Sequence, residues 1–207
     1  MQDDTRSKNK TFTIDSVDEY FQDYLREFVA AIRLVDKRNL DRASKVMKWA
    51  REFGMRVFVA GNGGSASISE HLECDWQKGT DRLTRKPLLT RSLSSNLALI
   101  TAIGNDLGYE KIFTEQLRLS NAVEGELLVL ISSSGNSPNI VEAAEWAKNK
   151  RMIVIGMTGF DGGKLRGLCD ISIHVPFRNY GIVEDCHQML MHVLAQYHDL
   201  SLPGIPS

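Results

Sequence analysis

The chain has 207 residues, with 25 Lys and Arg against 26 Asp and Glu, for a formal net charge of −1. That length supports a full core in one domain, and 43% hydrophobic with 25% charged residues is an ordinary globular balance. Near-zero charge gives no basic field for nucleic acid, and no apolar run is long enough to cross a bilayer.

Cys74, Cys169 and Cys186 are odd in number and lack a CxxC pair, so they read as reduced thiols of a cytoplasmic protein. Residues 1–12 lack the apolar stretch of a secretory signal and read as a flexible tail. Residues 13–200 read as one domain and 201–207 as a second tail. Ser16-Val17-Asp18-Glu19 is a capping box, in which a Ser hydroxyl and a Glu three residues on satisfy free N–H groups at a helix start. After it Tyr20, Phe21, Tyr24, Leu25, Phe28, Val29 and Ile32 recur at helical spacing. A second helix carries Leu40, Ala43, Val46, Met47 and Ala50 and ends at Gly54. These helices either cover their own sheet or also pack against another subunit.

From Arg56 onward the period alternates. Strand-like runs at 57–60, 87–90, 127–131, 152–156 and 171–175 are separated by helix-like segments near 65–78, 94–102, 110–122, 137–150 and 181–199. Such alternation predicts an α/β three-layer sandwich: a five-stranded, parallel, doubly wound sheet of order 2-1-3-4-5, preceded by two helices. In that order the ligand crevice opens between the first and third strands, where neighbouring crossovers leave in opposite directions. The loops there echo each other. Val57–Ala60 breaks into Gly61-Asn62-Gly63-Gly64-Ser65, and Leu128–Ile131 breaks into Ser132-Ser133-Ser134-Gly135-Asn136-Ser137. Each leads into a helix, whose exposed N–H groups and positive dipole end suit an anion. Two such loops rich in hydroxyls suggest one phosphate of a small sugar held between them.

Gly61-x-Gly63-x-x-Ala66 also fits the dinucleotide fingerprint, but the second strand ends at Thr90-Arg91-Ser92 without the acidic residue a ribose needs. Arg91 would suit only a 2′-phosphate there. No Lys-Ser/Thr follows the glycines, which argues against a nucleotide P-loop. We therefore expect no nucleotide cofactor. Glycines serving tight turns alone would leave the hydroxyls of Ser132, Ser134 and Ser137 idle.

His71 and Asp75 are four apart on the helix after the first loop, and Glu184, Gln188 and His192 share one face of the last helix. Two His and two carboxylates are a donor set that zinc accepts, and they equally serve proton transfer without metal. Glu70, Glu73 and Asp185 read as a solvated face, Cys74 and Cys186 as packing residues, and His174, His187 and His198 as ordinary surface or core residues.

At these positions the chain resembles the sugar isomerase domain family, and within it the phosphoheptose isomerases. The matching segments are Gly61–Ala66, Ala102–Asp106, Ser132–Ser137, Thr158–Lys164 and the closing helix through His192. The resemblance implies isomerisation of sedoheptulose 7-phosphate to a glycero-manno-heptose 7-phosphate for surface polysaccharide, in homotetramers with shared sites, many holding zinc. Carried over by position, Ser65, Ser132, Ser134 and Ser137 correspond to phosphate and sugar contacts, with Asn62, Gly63 and Asp106 beside them. Asp75 corresponds to the catalytic base, His192 to a catalytic acid/base, and His71, Asp75, Glu184 and His192 to metal ligands. Two departures stand out: the family usually has Glu at Asp75 and Gln at Glu184. Some members of the family bind phosphosugars as regulators, or bridge a replication initiator, without catalysis. Those roles have no need of His71, Asp75 and His192 together.

Overall fold

A computed structural model of the chain describes residues 12, 15–79 and 86–200. The expected tails at 1–12 and 201–207 lie outside them except for Phe12, whose ring packs 5.1 Å from that of Tyr20.

Ser16 caps α1 (Val17–Arg33), its hydroxyl accepting from the Glu19 N–H at 3.1 Å. Asp36 caps α2 (Lys37–Phe53), which ends on a left-handed Gly54. The alternating part then runs β1 (Val57–Gly61), α3 (Gly64–Cys74), β2 (Thr90–Ser92), α4 (Leu97–Leu107), α5 (Ile112–Leu119), β3 (Leu127–Ser132), α6 (Pro138–Asn149), β4 (Ile153–Thr158), α7 (Gly163–Leu168), β5 (Ile171–His174) and α8 (Tyr180–Leu200). All strand pairs are parallel and the order is β2-β1-β3-β4-β5, as the alternation predicts. Helices cover both faces of the sheet.

Side-chain alternation explains why the central strands read as unbroken apolar runs. Val57, Val59, Leu127 and Val129 face a core built from α1, α2, α3 and α8, with Ala31, Met47, Leu72 and Met191 inside. Phe58, Ala60, Leu128 and Leu130 face the opposite core, filled by Ile103, Phe113, Ile140 and Leu165 from α4 to α7.

The second strand corrects the sequence reading. Pairing begins at Thr90, opposite Val57, and not at Pro87. Leu88 is buried and Leu89 exposed, and the Thr90 N–H turns back to the Leu88 carbonyl at 2.7 Å, so the chain still bends where its residues look most strand-like. The following helix starts at Leu97, capped by Asn96, and not near 94.

His187 is fully buried on α8, and burial pushes its imidazole down to about 4. An unfolded imidazole takes its proton near 6.5. Between those values the unfolded chain binds more protons, so the stability from a neutral His187 is full above pH 6.5 and is lost as pH falls towards 4. We expect a loss of roughly 3 kcal/mol across that window. The urea midpoint of His187→Leu should change less from pH 7 to 5 than that of the wild type. Parallel profiles would remove His187 as the cause.

Candidate active site

The ends of β1 and β3 lie side by side, with Gly61 opposite Ile131. Their loops enclose a pocket of about 150 Å³ lined by Asn62, Ser65, Ser132, Ser133, Ser134 and Ser137, and closed from α8 by Tyr180 and Glu184. Two helices, α3 and α6, begin there and turn N–H groups towards it. Ser133 is 5% exposed, and its hydroxyl has no hydrogen-bond partner among the described residues. A buried hydroxyl left unpaired costs free energy unless a ligand or water meets it. The sequence reading passed over Ser133, although it sits inside the serine run.

Asn62 is placed at the pocket, but its amide is occupied. It donates to Asn139 and accepts from Asn139, both at 2.9 Å, and accepts from the Tyr109 hydroxyl at 2.9 Å. This clamp ties the first loop to α6. On the same wall the Ser132 and Ser134 hydroxyls accept from the Gly135 and Asn136 N–H groups at 3.2 and 3.3 Å, and so keep their own protons to donate. Gly63 starts α3 with φ +55°. Asp106 is exposed on α4, accepts from the Asn105 amide at 2.8 Å, and does not line the pocket. Arg91 reaches towards Ser120 at 3.4 Å, away from a dinucleotide role.

One helix face continues from the pocket. Glu184, Gln188 and His192 occupy successive turns of α8, so His192 lies about 12 Å along the axis from Glu184 at 1.5 Å per residue. There His71, Asp75 and His192 converge, each offering a ligand atom within 4.8 Å of the others. Asp75 lies between the imidazoles, with Oδ1 3.6 Å from His71 Nε2 and Oδ2 3.5 Å from His192 Nε2. The rings meet edge to face at 4.9 Å. Asp75 opens a π-helical turn (Asp75–Gly79) that widens the end of α3, the kind of local distortion that recurs at functional sites.

Gln188, which had no assigned task, fills the middle. Its amide lies 2.9 Å from His71 Nδ1 and 3.3 Å from His192 Nε2. Glu184, expected among the metal ligands, is not in this group. Its carboxylate stands over Gly64, where a Cβ would lie 2.5 Å from Oε2, so it faces the positive end of α3. Burial, and then the neighbouring Asp185, raise its pKa.

Two imidazoles and a carboxylate, brought together from the end of α3 and from α8, fit zinc by donor type. They also fit proton transfer, because all three are partly open to solvent. The cluster borders a groove of about 610 Å³ between α1 and α8, walled by Phe21, Leu25, Phe28, Met189 and Val193.

Several background residues behave differently from expectation. Glu73 is not a solvated charge; it accepts from the Ser92 N–H at 2.8 Å and so anchors β2. Asp185 accepts from the Tyr24 hydroxyl at 2.7 Å, joining α8 to α1. Cys74 is exposed, not packed, whereas burial pushes Cys169 and Cys186 up to about 12. The side chain of His198 lies outside the described residues.

The SIS domain family model matches residues 19–159. The phosphoheptose isomerase of Aliarcobacter butzleri is 34% identical over 177 residues, covering 86% of this chain and 93% of that protein. That of Aneurinibacillus thermoaerophilus is 38% identical over 141 residues, covering 68% and 70%. The solved phosphoheptose isomerase of Neisseria gonorrhoeae superposes with a TM-score of 0.81 at 29% identity, covering 90% of this chain and 97% of that one. The Francisella tularensis structure gives 0.79 at 30% identity, covering 90% and 98%. By sequence and by fold the chain belongs to the SIS domain family and, within it, to the phosphosugar isomerases.

Proposed function

We propose that the chain converts sedoheptulose 7-phosphate to D-glycero-D-manno-heptose 7-phosphate through an enediol, in the cytoplasm, for the synthesis of surface heptose. The observation that carries this reading is the Asp75 carboxylate set between His71 and His192, two turns of α8 from a pocket of serines. The serine hydroxyls and the helix starts bind the phosphate. That remote binding orients the far end of the sugar against Asp75 and His192, which lowers the entropic part of the barrier.

Asp75 takes the proton from the carbon beside the ketone. His192 moves protons between the two oxygens, and the enediol regains a proton at the former carbonyl carbon to give the aldehyde. Asp75 is one methylene shorter than the usual Glu, and its position on the π turn, with both oxygens facing the imidazoles, supports its use as the base. Zinc, if bound, would be held by His71, Asp75 and His192 and would supply polarisation of the carbonyl and stabilisation of developing negative charge.

The same reading includes a homotetramer with shared sites. Its support is the apolar face beside the cluster, where Phe21, Leu25, Met189, Val193 and Tyr197 are all exposed.

Purified chain incubated with sedoheptulose 7-phosphate, with and without zinc, should form the heptose 7-phosphate, followed by NMR. Folded protein that gives no product beside an active control enzyme would sink the substrate assignment. Binding of the sugar without turnover would favour a regulatory sensor instead.

A further inference from the structure

The family resemblance puts a Gln at the position of Glu184, whereas this chain carries its Gln one helical turn later, at 188. The two side chains go to different places. Glu184 turns onto Gly64 in the serine pocket, and Gln188 turns between His71 and His192. We propose that the amide oxygen of Gln188, and not the carboxylate of Glu184, completes a metal site with His71, Asp75 and His192.

Donor atoms around a tetrahedral zinc with bonds of about 2.0–2.1 Å stand about 3.3–3.4 Å apart. The Gln188 amide nitrogen lies 2.9 Å from His71 Nδ1 and 3.3 Å from His192 Nε2, and Asp75 lies 3.6 Å from His71 Nε2 and 3.5 Å from His192 Nε2. Around His192 Nε2, the Gln188 amide and the Asp75 carboxylate therefore already stand at about the separations of a ligand shell. His71 meets Gln188 through Nδ1 and Asp75 through Nε2, and a turn of its ring selects the nitrogen that ligates.

Placed as it is, the Gln188 amide nitrogen lies against one nitrogen of each ring. A half turn about the broad terminal torsion of Gln188 exchanges the N–H₂ for the carbonyl oxygen at the same place.

Helix geometry supplies the pairing. His71 and Asp75 are one turn apart on one segment, and Gln188 and His192 are one turn apart on the facing helix, so each side presents two donors. Glu184 is a further turn, about 6 Å, along α8. Charge is consistent as well. Two neutral imidazoles, one carboxylate and one amide leave a zinc site with one net positive charge, as a His, His, Glu and Gln set would. Recruiting Glu184 would cancel that charge and weaken the pull on a substrate carbonyl.

The proposal deepens the isomerase reading and rests on it for the purpose of the metal, but zinc affinity is measured without any sugar. Full-length apo protein would be titrated with zinc against a chromophoric chelator, with circular dichroism to verify folding. Gln188→Leu should lose at least about tenfold in affinity. Gln188→Glu, which keeps an oxygen donor and adds charge, should bind more tightly than the wild type. Glu184→Ala should stay within about twofold.

Wild-type protein that takes up no zinc overturns the proposal. So does Gln188→Leu binding as the wild type does, or Glu184→Ala losing as much as Gln188→Leu. If Gln188→Leu does not fold, Gln188→Glu decides: tighter binding supports the assignment and unchanged binding defeats it. Zinc bound through Gln188 in a chain that turns over no sedoheptulose 7-phosphate would sink the isomerase reading alone.

Discussion

His192→Gln is expected to lower the turnover of sedoheptulose 7-phosphate by about a thousandfold or more, with the fold intact. A positioned general acid–base group contributes about 10²–10⁴-fold, and His192 stands 3.5 Å from the Asp75 carboxylate that it would serve. The replacement amide keeps a polar group of similar reach but cannot shuttle a proton near neutral pH. Stability should change by no more than about 1 kcal/mol, because the side chain is 37% exposed and fills no core position. Turnover by NMR and melting by circular dichroism measure the two halves. The same assay in saturating zinc separates two roles. Turnover restored by zinc would mark His192 as a metal holder only, and a loss that persists marks it as a proton carrier. Near-normal turnover without added metal would remove it from the mechanism.

Much of the site was legible in the sequence because parallel α/β topology converts strand order into proximity. Gly61 and Ser132 are far apart in the chain, yet the alternation of elements was enough to place their loops at one crevice, and β1 and β3 do lie side by side. The His71–Asp75 and Glu184–His192 spacings were legible because helical period is local. What was not legible depends on side-chain direction and on contacts between distant segments. Glu184 and Gln188 share a face with His192, but only the position of Gly64 shows that the Glu184 carboxylate stands apart from the His71, Asp75 and His192 cluster. Asn62 looks like a free ligand donor until Asn139 and Tyr109, 77 and 47 residues away, are seen to occupy it. The start of β2 was missed for a related reason. Leu88 and Leu89 carry the apolar signal, but parallel pairing with Val57 fixes the strand three residues later than the apolar run suggests.

Gly135→Ala tests whether the serine loop must cross the backbone of the next crossover as closely as it does. Gly135 has φ +65°, and a Cβ there would lie 2.0 Å from the Gly162 carbonyl oxygen and 2.6 Å from its carbon. The obstacle is backbone, which cannot rotate aside as a long side chain can. The loop is also stitched to the start of α7. Leu165 N–H donates to the Gly135 carbonyl at 3.0 Å, and Lys164 N–H donates to Asn136 Oδ1 at 3.0 Å. Left-handed backbone costs Ala roughly 1 kcal/mol and the overlap a further 1–3 kcal/mol, so we expect about 3 kcal/mol of destabilisation. For a chain of this size that lowers the melting temperature by about 6–12 °C. Activity should fall by about a hundredfold even at temperatures where the variant is folded, because displacing Ser134 and Ser137 by about 1 Å misplaces the phosphate and with it the reacting carbon. Gly167→Ala on α7 is the control, since a Cβ there meets nothing within 4 Å and Ala is the better helix former. It should melt at or above the wild-type temperature with unchanged turnover. If Gly135→Ala behaves the same way, the loops tolerate movement and the serine pocket does not set the position of the substrate.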